Sequence, residues 1–453
     1  MPVRPEGGRP TGSRLRRAGL TALAGSGSRA AGLGLSLLTV PLTLNYLGEE
    51  RYGMWITISS LIAILSLADL GVGNGLLNAV TSSLALGNEN NARRQVSSAL
   101  AVVLLASTGV AFAVFLAYDK VPWHQIAGVS SAQAIAEAGP AFGAFFLCFV
   151  VGMPLTIVSQ VRHARQEGYL VHLTALLGNV VGLAALIVGI HTHQSVPVLV
   201  FTYAAPPIVA GLLNGVVLFY KDAPGLRPAV RLAERRIAFA LLRVGVLFLV
   251  LQASFAIAFT LHPIVLAQTV GPEGVAEYGV VARLFLIPAG LVATGLAPLW
   301  PAYADALARG DLHWVRRTMA ASTFVATGGA MASAVVLILI APALLSLWVG
   351  ERFEPSYVLL VSFGAWVSVT ACGAAVAMLL NGAGAIRIQA ASAVAMAVVS
   401  VAAGAWLSAR VGIGGVVLAS LVSYVVFVLL PMAVYVPRFM RRFDTPSPGA
   451  RHG

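Results

Sequence analysis

The stretch VPLTLNYLGEERYGMWITISSLIAILSLADLGVGNGLLN, residues 40–78, decides how this chain folds. It holds the end of one apolar segment, a short charged turn over residues 48–51, and a second apolar segment. The second segment carries the carboxylate of Asp69 and the amides of Asn74 and Asn78. Two apolar segments joined by a short polar turn predict a helical hairpin that crosses a lipid bilayer twice.

The composition of the whole chain agrees with this prediction. Of its 453 residues, 58% are hydrophobic and 10% are charged, and the mean hydropathy is +0.87. Soluble proteins carry about 25% charged residues, so the composition excludes a soluble protein with a large core. The net charge of +12 comes from basic residues at segment ends, where they set topology and contact anionic lipid headgroups. We therefore expect membrane lipids as partners and no nucleic acid.

The apolar runs predict an all-α polytopic protein with about twelve transmembrane helices in two halves of six. The predicted spans are 20–47, 53–80, 96–118, 138–161, 169–190, 196–220, 238–269, 277–304, 317–348, 357–381, 388–409 and 412–436. Residues 20–220 form the first lobe in this interpretation, and residues 238–436 form the second. The remaining segments are a disordered basic tail (1–19), a linker (221–237) and a second tail (437–453). The basic linker either lies on the lipid surface or is simply solvated.

The distribution of Lys and Arg predicts the orientation. One set of flanks holds 22 of the 29 basic residues and the opposite set holds four, while three fall inside spans. Because basic residues accumulate on the cytoplasmic side, both termini and the linker are predicted to be cytoplasmic.

The two halves resemble each other in sequence. Gly87, Arg93 and Arg94 map onto Gly310, Arg316 and Arg317 at a constant offset of 223 residues, and Gln166 maps onto Gln389 at the same offset. A shared order and spacing indicate an internal repeat. Six spans per repeat would relate the halves by a pseudo-twofold axis along the membrane normal.

Polar residues inside the predicted spans are the candidate binding site. The set is Arg29, Asp69, Asn74, Asn78, Arg243, Gln252 and Arg283. A charge at the bilayer centre costs about 2.5–3.5 kcal/mol, so these side chains are expected to face a wet cavity or a partner. Three cations against one anion favour an anionic substrate, and guanidinium groups suit pyrophosphate because they offer paired donors.

Each of these residues also has an alternative interpretation. Arg243 and Arg283 lie five or six residues inside their spans, from where they can snorkel to the interface. Asp69 could pair with an arginine, cap local backbone, or bind a coupling ion. Asn74, Asn78 and Gln252 could form hydrogen bonds between helices.

No motif of a catalytic or cofactor site occurs. The chain lacks HExxH, P-loop and CxxC patterns, so we expect no enzyme activity, no metal and no cofactor. Gly71, Gly73 and Gly75 form a GxGxG run without the strand-turn-helix context of a nucleotide site. Close packing of helices through small residues is the better interpretation of these glycines.

The hairpin also resembles a known family. The segments PLTLNYLGEERYGMW and LADLGVGNGLLN, and the GNENNARRQV that follows, are similar to the Wzx-type polysaccharide repeat-unit flippases. These belong to the superfamily of multidrug, oligosaccharidyl-lipid and polysaccharide exporters. The resemblance implies a MATE-like, V-shaped fold of two lobes with a central cavity and alternating access. Related flippases line that cavity with arginines, which agrees with the prediction for Arg29.

The resemblance further implies a polyprenyl-diphosphate-linked oligosaccharide as substrate. It would move from the cytoplasmic to the outer leaflet of a bacterial inner membrane during assembly of O-antigen or exopolysaccharide. Whether H⁺ or Na⁺ is coupled, and whether a polymerase complex is a partner, stays open. The alternatives are a cation-coupled drug extruder of the same fold, a membrane glycosyltransferase, polymerase or ligase, and a non-transporting component of a polysaccharide assembly complex. A drug extruder should favour acidic and aromatic residues over arginines, and a glycosyltransferase would need a catalytic cluster on a long outer loop.

Overall fold

The structure, a computed structural model, describes residues 11–65, 71–270, 272–349 and 356–441, and these are almost entirely helical. By contacts the chain divides into two compact units, Met1–Val246 and Leu247–Gly453. The helices that begin in the first unit are α1 (Thr11–Leu65), α2 (Val72–Ala85), α3 (Glu89–Ala117), α4 (Trp123–Ala127), α5 (Ala132–Gly152), α6 (Leu155–Ala164), α7 (Gly168–His191), α8 (Val196–Val217) and α9 (Arg235–Thr260). Those of the second unit are α10 (His262–Thr269), α11 (Pro272–Leu296), α12 (Leu299–Ala308), α13 (Leu312–Val349), α14 (Tyr357–Gly382), α15 (Ile386–Val411), α16 (Gly414–Tyr424) and α17 (Leu430–Arg441).

Ten helical segments of the described residues are long and apolar enough to cross a membrane. They coincide with the third to twelfth predicted spans, from Glu89–Ala117 to Gly414–Arg441, which makes the protein a multi-pass membrane protein. The first two predicted spans fall on α1 and α2 and are not among the ten. Residues 66–70, inside the second of them, lie outside the described part of the chain. The total of twelve therefore stays a prediction.

The turn of the predicted hairpin is visible as a break in α1. Gly48 has φ +73° and ψ 172°, a conformation open essentially only to glycine, so the helix is interrupted at this residue. The break lies at the first residue of the charged turn predicted for residues 48–51.

Helical structure extends into both predicted tail ranges. The helix α1 begins at Thr11, so residues 11–19 of the predicted disordered tail are helical, and residues 1–10 lie outside the description. At the other end α17 continues to Arg441, and residues 442–453 are likewise outside.

The connection between the halves is also more ordered than a solvated linker. It consists of a π-helical turn at Leu218–Asp222 and 3-10 turns at Pro224–Leu226 and Val230–Leu232. Hydroxyls of α3 accept hydrogen bonds from its backbone, Ser97 from the amide of Ala229 (3.1 Å) and Ser98 from that of Glu234 (2.9 Å). These bonds explain why the first compact unit extends to Val246 instead of ending before the linker.

Two turns that the predicted repeat matches have the same geometry. Gly87 and Gly310 both adopt left-handed backbone, with φ +71° and +73°, and each ends a helix. The next residue caps the following helix in both cases: Asn88 accepts from the amide of Asn91 (3.0 Å), and Asp311 accepts from that of Trp314 (3.2 Å). The turns are equivalent because only a glycine reverses the chain here without strain while its neighbour supplies the cap.

The predicted match of Gln166 with Gln389 is wrong. Gln166 has φ +60° and ends α6, whereas Gln389 lies inside α15. The residue in the position equivalent to Gln166 is Gly384, with φ +70°, which ends α14 through the same pair of backbone hydrogen bonds. The spacing between the halves therefore changes between the two turns.

A second repeated feature escaped the sequence comparison. Glu50 accepts hydrogen bonds from the backbone amides of Ser130 and Ser131, the latter at 2.8 Å, where α5 begins. Glu277 accepts from the amide of Ser356 at 2.7 Å, where α14 begins. A carboxylate from an earlier helix thus caps the corresponding helix in both units, since helix N-termini attract negative charge.

Candidate functional site

Five of the seven predicted site residues belong to the first unit. Arg29 on α1 and Arg243 on α9 are exposed, and Asp69 lies outside the described residues. Asn74 and Asn78 are half-buried on α2, one turn apart and therefore on one face. None of the four that the structure describes is among the residues that line the described cavity of this unit. Their role as a cation-rich site stays a prediction.

The glycines beside these asparagines pack helices, as the sequence indicated. A Cβ atom at Gly71 would collide with the carbonyl of Gly245 on α9, and one at Gly75 would lie 3.0 Å from the carbonyl oxygen of Leu241. Gly71 and Gly75 on α2 thus face Leu241 and Gly245 on α9, a small-residue contact that brings the two backbones together.

The other two predicted residues belong to the second unit, and only one of them lines the cavity described there. Arg283 on α11 is exposed, and Gln252 on α9 is exposed and lines a cavity. Gln252 and Arg243 are nine residues apart, which at about 100° per residue places them on opposite faces of α9.

The cavity at Gln252 has a volume of about 670 Å³ and lies within the second unit. Its walls come from α9, α11, α14, α15, α16, α17 and the π-helical turn Val425–Leu429 between the last two. Among the described residues that line it, none carries a formal charge. We call this cavity the C-unit slot. Its lining residues are Leu251, Gln252, Phe255, Phe259, Leu286, Trp366, Thr370, Gly373, Ala374, Ala377, Met378, Asn381, Gln389, Ala393, Tyr424, Val428 and Met432.

One face of α14 runs the length of the slot. Its lining residues recur at intervals of three or four from Trp366 to Asn381, which is the spacing of a single helical face. Fifteen residues of helix rise about 22 Å. The slot is therefore elongated along α14.

The end of the slot near the α14–α15 turn is polar and neutral. Asn381 and Gln389 are 6% and 2% exposed, and the Nε2 of Gln389 donates to the Oδ1 of Asn381 at 3.0 Å. Pairing meets part of the hydrogen-bonding demand of these two buried amides without introducing a charge.

The opposite end is aromatic. Trp366 stands at the centre of a ring cluster, 5.0 Å from Phe259 and 5.4 Å from Tyr424 between ring centroids. Edge-to-face arrangements of this kind favour a rigid apolar wall. Behind it lies His262, 2% exposed, whose ring nitrogens are each 2.9 Å from a hydroxyl, that of Tyr278 and that of Ser420.

A local irregularity shapes the wall between these ends. The π-helical turn Val425–Leu429 separates α16 from α17 and contributes Val428 to the slot. Pro431 follows it, and its missing amide prevents a regular hydrogen bond to the preceding turn. Single π-helical turns of this kind frequently mark functional sites.

The first unit contains a buried ionic cluster that sequence reasoning missed. Arg162 is 1% exposed, and its Nη1 lies 2.9 Å from Glu167 and 2.7 Å from Asp222, while its Nε donates to the Oδ1 of Asn214 at 3.0 Å. Arg165 also binds Glu167, at 2.9 Å. Two guanidinium groups and two carboxylates thus balance in charge. In the sequence, Arg162 and Arg165 counted only as cytoplasmic flanks, and the nearby Glu167 was the available signal of an ion pair.

Electrostatics at the other end of the first unit are dominated by Glu50. The hydroxyl of Ser131 and the backbone amides of Ser130 and Ser131 lower the pKa of the exposed Glu50 carboxyl to about 2. Hydrogen bonds to the charged form hold this carboxylate ionised. Its neighbour Arg51 pairs with Glu137 of α5 at 2.9 Å, so two polar contacts tie the hairpin turn to α5. Across the described ranges, no three His, Cys, Asp or Glu side chains group together as metal ligands.

The fold defines the class of the protein. It covers 96% of the chain in common with an outward-facing MATE multidrug transporter, with a TM-score of 0.80 at 15% identity over 97% of that structure. It overlays equally well, at 14% identity, on a transporter of the same superfamily from Pyrococcus furiosus, described as having a binding pocket of reversed polarity. At these identities the likeness concerns the fold alone. The chain is a multi-pass membrane protein with the MATE fold.

Sequence comparison then gives the family. The profile of the family described as "Polysaccharide biosynthesis protein" matches residues 22–306, and the chain belongs to that family. An O-antigen export protein of Yersinia pseudotuberculosis is 21% identical over 62% of this chain, and an O-antigen transporter of Salmonella typhi is 21% identical over 60%. The aligned regions span 63% and 61% of those relatives. These findings confirm the resemblance to Wzx-type members of the multidrug, oligosaccharidyl-lipid and polysaccharide exporter superfamily.

Proposed function

We propose that this protein is a flippase for a polyprenyl-diphosphate-linked oligosaccharide. It moves the headgroup from the cytoplasmic to the outer leaflet of a bacterial inner membrane by alternating access, in the assembly of a cell-surface polysaccharide. The observation that carries the proposal is the family match over residues 22–306, with relatives named for O-antigen export, on a chain with a transporter fold. Both termini face the cytoplasm in this proposal, and H⁺, Na⁺ or the membrane potential drives the cycle.

The chemistry of the substrate explains why a protein is needed. Each unpaired polar group costs several kcal/mol in hydrocarbon, so a diphosphate and a glycan do not cross a bilayer unaided. We assign Arg29, Arg243 and Arg283 to the diphosphate, since guanidinium groups stay charged and offer paired donors. Asn74 and Asn78 would bind sugar hydroxyls, and Asp69 would hold the coupling ion. No covalent chemistry is required of the chain, and an adjacent polymerase complex would receive the product.

A reconstituted assay tests this proposal. The purified protein is inserted into vesicles that contain a polyprenyl-diphosphate oligosaccharide with a fluorescent glycan, and an impermeant reagent reports which leaflet holds the glycan. We expect the protein to move the glycan between leaflets, while protein-free vesicles do not. In cells, depletion should raise the pool of lipid-linked repeat unit on the cytoplasmic side. Unpolymerised units that build up outside would instead indicate a polymerase.

The contribution of Arg29 is tested in the same vesicles. The Arg29→Ala variant should insert normally and flip the headgroup at least about tenfold more slowly, the loss expected for a charge-assisted contact of about 1.5–3 kcal/mol. Arg231→Ala in the linker is a matched control, because it removes an equal charge outside the predicted spans. Equal rates in the Arg29 variant and the wild type would contradict the assignment.

A second candidate, a drug extruder, is favoured by one observation. The C-unit slot is apolar and aromatic, as is usual for pockets that bind small molecules. Against this candidate, the described lining residues include no carboxylate to attract a cationic drug. Export of a planar cationic dye from vesicles, without movement of the lipid-linked glycan, would decide in its favour.

A further inference from the structure

We infer that the C-unit slot binds the isoprenoid chain of the lipid carrier. The inference rests on the proposed function for the identity of the ligand, and on the shape and chemistry of the slot for its class. The inference places part of the lipid chain inside the second unit. The predicted cation-rich site concerns only the polar part of the substrate.

The lining of the slot is too apolar to bind the diphosphate or the glycan of the substrate. No described lining residue has a formal charge, and the polar lining side chains are few: Gln252, Thr370, Asn381, Gln389 and Tyr424. Thr370 already donates to the carbonyl of Trp366 at 2.7 Å, and Gln389 donates to Asn381. A diphosphate or an oligosaccharide would lose its hydration here without equivalent partners.

The length of the slot suits an extended chain. Its lining residues extend about 22 Å along α14, from Trp366 to Asn381. A methyl-branched hydrocarbon chain in extended form can follow this apolar face over its whole length.

The two ends of the slot differ, so a bound chain has a preferred direction. The buried amides of Asn381 and Gln389 mark one end, and the rings of Phe259, Trp366 and Tyr424 form the other. The amide end is close to the α14–α15 turn, which the predicted topology places at the cytoplasmic side. The phosphate-bearing end of the chain therefore leaves the slot toward the leaflet from which the substrate is collected.

The energetics of this contact concern selectivity more than affinity. Lipid tails are as apolar as the slot, so moving the chain out of the bilayer gains no hydrophobic free energy. What the slot adds is close packing against fixed aromatic and methionine side chains. A carrier with a methyl-branched chain is then distinguished from straight acyl chains by shape.

Photolabelling tests the inference directly. The protein is placed in phospholipid nanodiscs with a polyprenyl monophosphate that carries a diazirine on its chain, and adducts are mapped by mass spectrometry after irradiation. We expect adducts within residues 366–381 of α14 and 251–259 of α9. Adducts confined to lipid-exposed faces such as Val361 would overturn the assignment, and so would equal labelling of the slot by a phosphatidylcholine with a diazirine on its acyl chain.

A filled slot provides the matched comparison. Ala377→Trp places an indole in the slot, and labelling there should fall by at least about fivefold because the indole obstructs the path of the chain along α14. Ala391→Trp makes the same change on the exposed side of α15, two residues from Gln389, and should label like the wild type. Ala374→Phe fills the same region if the tryptophan variant does not fold. Undiminished labelling in the filled variants would overturn the proposal.

The assay in vesicles separates this inference from the proposed function. Wild-type protein that flips the lipid-linked glycan without any labelling of the slot refutes the slot and leaves the function standing. Specific labelling by the polyprenyl probe in a protein that flips no glycan supports the slot and refutes the function. Displacement of the label by a planar aromatic cation, but not by unlabelled polyprenyl phosphate, refutes the slot in favour of a drug site.

Discussion

The ends of α6 and α14 occupy equivalent places in the two units and are built from opposite chemistry. Both helices end in a left-handed residue, Gln166 in one case and Gly384 in the other. At the end of α6 the buried guanidinium of Arg162 forms ion pairs. At the end of α14 the side chains of Asn381 and Gln389 form a neutral amide pair. The ionic cluster links α6 to the segment after α8, and the amide pair closes one end of a slot. The equivalent helix ends thus carry a buried ion cluster in the first unit and border an uncharged cavity in the second.

The largest expected effect comes from removing the buried charge. Arg162→Ala leaves Glu167 and Asp222 without their shared partner, which should lower the free energy of unfolding by about 3–5 kcal/mol. Thermal unfolding in detergent measures the change. Arg94→Ala is the control, because Arg94 forms a solvent-exposed pair with Glu234, worth about 0–1 kcal/mol. Similar losses in the two variants would contradict the view that Arg162 forms a buried joint.

The amide pair should tolerate change better than the ion cluster. Asn381→Leu alone leaves Gln389 with an unmet buried amide and should cost about 1–3 kcal/mol, while the double change to leucine at both positions should cost less than the single one. The same unfolding measurement in a double-mutant cycle tests this. A double variant that is less stable than either single variant would show that the pair is not an isolated neutral contact.

Substitutions at Gly87 and Gly310 test whether the two turns contribute equally to the free energy of unfolding. Alanine at either residue must adopt positive φ and should cost about 1–2 kcal/mol. At both glycines the position that a Cβ atom would take has no neighbouring atoms within 4 Å, so strain in the backbone is the only expected cost. Gly279→Ala, also in open space but inside α11 and without positive φ, should not lower stability, because alanine is the better helix former. Unequal losses at Gly87 and Gly310 would show that the units have diverged at this turn.

The smallest effect concerns pH. Hydrogen bonds lower the pKa of Glu50 to about 2 from about 4.3 in an unfolded chain. Their contribution is therefore complete above the unfolded pKa and is lost as the pH falls toward 2. Glu50→Gln should unfold at a lower temperature than the wild type at pH 6, and this difference should shrink by pH 3. A difference that is constant with pH would contradict the role of the carboxylate in capping α5.

The sequence predicted those parts of the fold that depend on local pattern. Ten of the predicted apolar spans are helices long enough to cross a membrane. The helix α1 is interrupted at Gly48, where the turn was predicted, and Gly71 and Gly75 pack against α9. The equivalence of Gly87 and Gly310 followed from their spacing. These features are encoded in chain length, hydropathy and the special backbone of glycine, all of which a single sequence displays.

The site was harder to predict because it depends on contacts between distant segments. Only Gln252 of the seven predicted residues lines the C-unit slot, and the aromatic residues that form its wall resemble ordinary core positions in sequence. Arg162 looked like a topology signal because its partners Asn214 and Asp222 lie more than 50 residues away. The register of the repeat also slipped between Gly310 and Gly384, which misaligned Gln166. Hydropathy indicates which segments lie in the membrane, but it does not show which buried polar groups contact each other.

Movement of the labelled, polyprenyl-diphosphate-linked oligosaccharide between the leaflets of reconstituted vesicles tests the account most directly. We predict protein-dependent transfer of the glycan that falls in Arg29→Ala and persists in the linker control Arg231→Ala. Vesicles that hold correctly folded wild-type protein and transfer no more glycan than protein-free vesicles would contradict it.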